Sequence, residues 1–144
     1  MDLTTPFSND EIIFAYTRAD AIRDGVLVEI PEDLLKEVGI RVPVAVTQAV
    51  WDYLCPEDLD ELPGQSVEGR TWDLLWMFSR AAARSRNSSK VLFRIAFLLM
   101  NEYSERGQIL LSSEPREQLI TLKALCGPGD EGEPVITIML PGED

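Results

Sequence analysis

LITLKALCGPGDEGEPVITIML, residues 119–140, holds two β-rich runs with a turn between them. Leu119–Cys126 and Val135–Leu140 are separated only by Gly127-Pro128-Gly129-Asp130-Glu131-Gly132-Glu133-Pro134. A link that short has no room for a crossover helix, so the runs are predicted to pair antiparallel as a C-terminal β-hairpin. Alternation of side chains then puts Ile120, Leu122, Ala124 and Cys126 beside Ile136, Ile138 and Leu140 on one apolar side. The same period appears earlier, with Val91, Phe93, Ile95, Phe97 and Leu99 on one face and Leu92, Arg94, Ala96 and Leu98 on the other. Residues 101–116, polar and carrying Gly107 and Pro115, are predicted to be a surface loop, with a short strand at Ile109-Leu110-Leu111.

Upstream the period changes from two to 3.6. In Gly69–Arg86, Trp72, Leu75, Trp76, Ser79, Ala82 and Ala83 fall on one side, and Leu74, Met77, Phe78 and Ala81 widen the stripe past half the circumference. A helix so apolar is predicted to be the buried spine of the domain, closed by a turn at Asn87-Ser88-Ser89. Residues 55–68, bounded by Pro56 and Pro63-Gly64, read as a second surface loop. Val44–Leu54 has Val46, Val50, Tyr53 and Leu54 three and four apart and is read as a helix despite its valines. Nearer the start, Thr17-Arg18-Ala19-Asp20 has the shape of a capping box and Gly25 that of a helix stop. Val26–Ile30 reads as a short strand, and Pro31 followed by Glu32 and Asp33 opens a helix ending at Gly39. Helices first and most strands last predict one α+β domain over residues 1–144, with a flexible N-terminus at 1–10 and a mainly antiparallel sheet.

Composition fits such a domain. The chain has 144 residues, 45% hydrophobic and 26% charged, enough for one core of ordinary size. No apolar run approaches membrane-spanning length, and Met1-Asp2-Leu3 opens no secretion signal, so a cytoplasmic location is expected. Histidine is absent, which removes the commonest general base near neutral pH and every triad built on it. The two cysteines, Cys55 and Cys126, are far apart and form no metal-binding pair; no metal and no cofactor are expected.

The net charge of −12 is uneven. Residues 1–68 hold fifteen acids against four bases, residues 69–112 three against seven, and residues 113–144 seven against two. An acidic surface repels phosphates and headgroups, so no direct nucleic-acid or membrane contact is expected. Two acidic groups stand out as candidate partner-binding residues: Glu57, Asp58, Asp60 and Glu61, and Asp130, Glu131 and Glu133. Neither follows the order of a calcium loop, and solubility is the plain reading of both. Arg80, Arg84, Arg86, Lys90 and Arg94 form the one basic cluster, with Arg80 and Arg84 a helical turn apart. Arg18, Arg80 and Arg84 are candidate anion-binding residues, with Tyr16 beside Arg18; pairing with the chain's own carboxylates is the plain alternative. For Trp51, Trp72 and Trp76 a stacking or partner surface competes with core packing, and helical spacing beside leucines favours the core. The glycines at 127 and 129 lead into acids and no helix follows, so a hairpin turn explains them.

Four segments together, YTRADAIRDGVLVEI (16–30), PVAVTQAVW (43–51), GRTWDLLWM (69–77) and LKALCGPGDEGEPVITIMLP (122–141), resemble a family of uncharacterised bacterial proteins carried on plasmids, prophages and other mobile elements. The resemblance implies a genomic setting and brings no catalytic residues. The leading expectation is a non-enzymatic acidic accessory protein that binds a host or element protein. Its sharper form is an inhibitor of a nucleic-acid-handling defence enzyme, whose basic surface meets the acids at 57–61 and 130–133. The alternative is an enzyme or nucleotide-binding domain for a phosphorylated ligand, which requires Tyr16, Arg18, Arg80 and Arg84 to converge on one pocket.

Overall fold

The computed structural model describes residues 16–103 and 109–144. Chain order is α1 (Arg18–Arg23), β1 (Leu27–Glu29), α2 (Glu32–Val38), β2 (Val44–Thr47), α3 (Gln48–Leu54), a 3-10 turn (Leu59–Glu61), α4 (Val67–Arg84), β3 (Lys90–Tyr103), β4 (Ile109–Pro128) and β5 (Pro134–Met139). The strands form one sheet in the order β1-β2-β5-β4-β3. All neighbours are antiparallel except β2 and β5. The class is α+β, ending in the expected C-terminal hairpin.

Local chemistry accounts for the ends of the elements. Both halves of the capping box form at α1, where Thr17 accepts from the Asp20 backbone and the Asp20 carboxylate accepts from the Thr17 N–H. At the end of α2, Gly39 takes φ 90°, a left-handed conformation that lets its N–H close on the Leu35 and Lys36 carbonyls. Ser66 caps α4, so that helix begins at Val67, two residues before the sequence pattern becomes apolar.

Two element assignments are corrected. The run 44–54 is not one helix: Val44–Thr47 is a strand, and α3 starts only at Gln48. Val44, Ala45 and Val46 are fully buried between β1 and β5, where three consecutive inward positions on a two-sided strand mimic a helical stripe. Thr47, with φ −71° and ψ 163°, accepts from the Val50 N–H and makes the switch to helix. The loop expected at 101–116 is largely ladder: Asn101–Tyr103 pairs with Ile109–Leu111 beyond a register shift after Leu99. Cross-strand pairing is non-local, and the polar composition hides it. Residues 104–108, and the N-terminal residues 1–10, lie outside the described residues.

The core lies between one face of the sheet and α2, α3 and α4. Leu74, Leu75 and Phe78 of α4 meet Val91, Phe93, Ile95 and Phe97 of β3 and Leu122, Ala124, Ile136 and Ile138 of the hairpin. Phe78 packs edge-on against Phe93 at 5.9 Å between ring centroids. Ile120 and Leu140 pack against this cluster as expected, whereas Cys126 is exposed.

One charged side chain sits inside this layer. Arg70, 3% exposed, donates to the Gln65 side chain at 3.1 Å, the Tyr53 carbonyl at 2.7 Å and the Leu98 carbonyl at 2.5 Å. Its guanidinium also lies 5.5 Å from the Phe97 ring centre. Burial lowers its pKa and the Asp58 charge opposes that shift, while the group stays protonated as arginine does. One planar fork thus ties α4 to the end of α3 and to β3. Arg70→Met is expected to strand two carbonyls and cost about 3 kcal/mol in urea unfolding, with Arg70→Lys recovering only part. A loss below about 1 kcal/mol would show that the fork is dispensable.

Candidate functional site

α4 packs on the sheet along one side only. Thr71, Leu74, Leu75 and Phe78 are buried, whereas Trp76 is 41% and Met77 39% exposed. The sheet offers a single surface to the helix, so the far side of its wide apolar stripe remains in water. This corrects the expectation that Trp72 and Trp76 are core residues; of the three tryptophans, Trp51 is the one packed against the core cluster.

On that outer side Trp72, Trp76, Arg80 and Arg84 recur every fourth residue and so follow one ridge of the helix. The Trp72 and Trp76 rings stack 5.4 Å apart at 14° between planes, and the Arg80 guanidinium lies 5.9 Å from the Trp76 ring centre. Trp72 is half-buried and anchors the row; Arg80 and Arg84 are exposed. Among the described residues, no ion pair within 4.0 Å involves Arg80, Arg84, Arg86, Lys90 or Arg94; the pairs present join Arg23 to Asp20 and Asp24, and Lys36 to Glu32. Among the described residues, the expected neutralisation of the basic cluster by nearby carboxylates is therefore not seen. Arg84 does complement the negative end of the α4 dipole. The spacing of the row was visible in the sequence; its exposure was not.

The other candidates lie elsewhere. Arg18 sits on the opposite face of the sheet, beside a groove of about 830 Å³ between α1, the β4–β5 loop and the C-terminal residues. Its guanidinium donates to Thr137 Oγ1 at 2.6 Å and to the Ile136 carbonyl at 2.9 Å, and burial lowers its pKa. Tyr16 donates to Asp24 at 2.8 Å, and that bond raises its phenol pKa. Tyr16 and Arg18 therefore do not share a pocket with Arg80 and Arg84, and the convergence required for the phosphorylated-ligand reading is absent.

The acidic candidates divide by their bonding. Asp130 accepts from the backbone N–H groups of Arg18 and Ala19 at 2.8 and 3.0 Å, so it holds the first turn of α1. Glu133 accepts from the Glu131 N–H across the hairpin loop. Glu57, Asp60 and Glu61 are exposed around the 3-10 turn, with Asp58 half-buried. Glu143, which the sequence reading passed over, accepts from Thr47 Oγ1 and the Leu140 N–H, both at 2.8 Å, and its carbonyl accepts from buried Lys123. Among the described residues no three Cys, Asp or Glu side chains group as a metal site requires, and no helix is long and apolar enough to cross a membrane.

The cap of α1 supplies a pH test for this face. Hydrogen bonds from the Thr17 backbone and side chain hold Asp20 below its ordinary value of 3.8. A depressed carboxylate contributes stability that is present above the unfolded value and lost as pH falls through the folded one. Thr17→Ala is expected to move the Asp20 carboxyl titration, followed by NMR, upward towards 3.8. An unchanged titration would separate Asp20 from the cap.

No curated protein and no solved structure matches the chain. A family model does, over residues 3–144, nearly the whole length. The chain thus belongs to the Family of unknown function (DUF6573).

Proposed function

We propose that this is a non-enzymatic binding protein that contacts a protein partner through the outer ridge of α4. The observation that carries the reading is the exposed Trp76, stacked on Trp72 and flanked by Arg80. Tryptophan and arginine dominate binding energy at protein interfaces and methionine is enriched there, and here all three lie together on one helix. Holding Trp76 between two neighbours before contact reduces the side-chain entropy lost on binding. The resemblance of the four segments supports a setting on bacterial mobile elements, and a cytoplasmic location belongs to the same reading.

The acidic surface at Glu57, Asp58, Asp60 and Glu61 supports a second reading, contact with a basic protein that imitates its hold on nucleic acid. The exposure of three of those four carboxylates favours it. Asp130 and Glu133 contribute less, because their oxygens are engaged within the fold.

Pull-down of the tagged protein from bacterial lysate, in wild-type form and in two variants, separates these readings. Trp76→Ala is expected to abolish capture of the partner while leaving the unfolding midpoint nearly unchanged, and Glu57→Lys/Asp60→Lys/Glu61→Lys is expected to retain it. Retention by Trp76→Ala with loss in the charge-reversal variant would transfer the function to the acidic loop.

A further inference from the structure

The partner's chemistry follows from the charges around this ridge. Between Gly69 and Asn101 the chain carries six bases and one acid, Asp73, although acids outnumber bases twenty-five to thirteen overall. Arg80, Arg84, Arg86 and Lys90 are exposed over the end of α4, the following turn and the start of β3. None has a carboxylate within 4.0 Å among the described residues. Among the described residues, a local positive surface is thus left open beside two aromatic rings.

From this complementarity we infer that the occupant of the α4 ridge is an acidic amphipathic protein helix, with carboxylates one turn apart facing Arg80 and Arg84 and an apolar side chain against Trp76 and Met77. The inference rests on the binding reading above and adds the partner's class. Two helices packed side by side meet along rows of residues four apart, the spacing on which Arg80 and Arg84 lie. Arginine forks bind carboxylates through two parallel hydrogen bonds, which gives such a row orientation as well as attraction. A nucleic-acid strand fits less well. It would carry negative charge well beyond the patch, past a surface whose net charge is −12. The Trp76 ring is moreover flanked along the helix by Trp72 and Arg80, leaving its edge rather than a face for a base.

Fluorescence anisotropy tests this with the full chain and two labelled peptides of one amphipathic helical sequence, one bearing Glu at every fourth position and the other Lys at the same places. The Glu peptide is expected to bind, and more weakly as salt rises from about 50 to about 150 mM. Arg80→Glu/Arg84→Glu is expected to weaken it at least tenfold and to bind the Lys peptide instead. Equal affinity of the wild type for both peptides, no binding of the Glu peptide, or tighter binding of an oligo-dT strand would overturn the inference. The binding reading has its own readout: a lysate partner lost with Trp76→Ala but kept by Arg80→Glu/Arg84→Glu upholds the surface and rejects the acidic partner.

Discussion

β2 is four residues long and joins both ends of the chain into one sheet. On one side it pairs antiparallel with β1, and on the other parallel with β5, which arrives some ninety residues later. Loop closure over that distance costs entropy before any contact forms, so the pairing must be supported by what it buries. Val44, Ala45 and Val46 have no accessible surface at all, and their valines meet Leu74, Leu75 and Ile138 in one cluster. A small side chain at Ala45 lets the opposite face be covered closely, while the valines fill the helix-covered one.

Covering the two faces uses different means. The helix-covered face is closed by apolar packing and by Arg70, whose fork replaces a missing set of donors at the end of α3 and on β3. The opposite face is closed with polar fasteners. Arg18 bonds to Thr137 and the Ile136 carbonyl, Asp130 holds the start of α1, and Glu143 is held by Thr47 and Leu140. Arg18 and Asp130, which read as binding candidates in the sequence, therefore serve as internal ties. The outer ridge of α4 instead presents to water the exposed Trp76 ring and cations that form no ion pair among the described residues.

Much of this was legible from residue types. The Thr17–Asp20 box, the Gly39 stop and the alternation in Val91–Leu99 each state their own geometry, because caps, left-handed glycines and two-residue periods act over a few bonds. The candidate ridge was half legible. Trp72, Trp76, Arg80 and Arg84 share a spacing, but apolar residues on the remaining sides of the helix argued for full burial, and only the position of the single sheet exposes Trp76.

The sequence by itself determined the α+β class, the C-terminal hairpin, the ends of the first two helices and the lack of any histidine for catalysis, since these depend on local backbone preferences and composition. Tertiary structure alone decided that Val44–Thr47 is a strand, that residues on either side of 104–108 extend one long ladder, and which charges are spent inside the fold. Those outcomes depend on partners far away in the chain. A valine run takes the conformation of the neighbour that buries it, and a carboxylate is free or occupied according to which backbone N–H the fold brings to it.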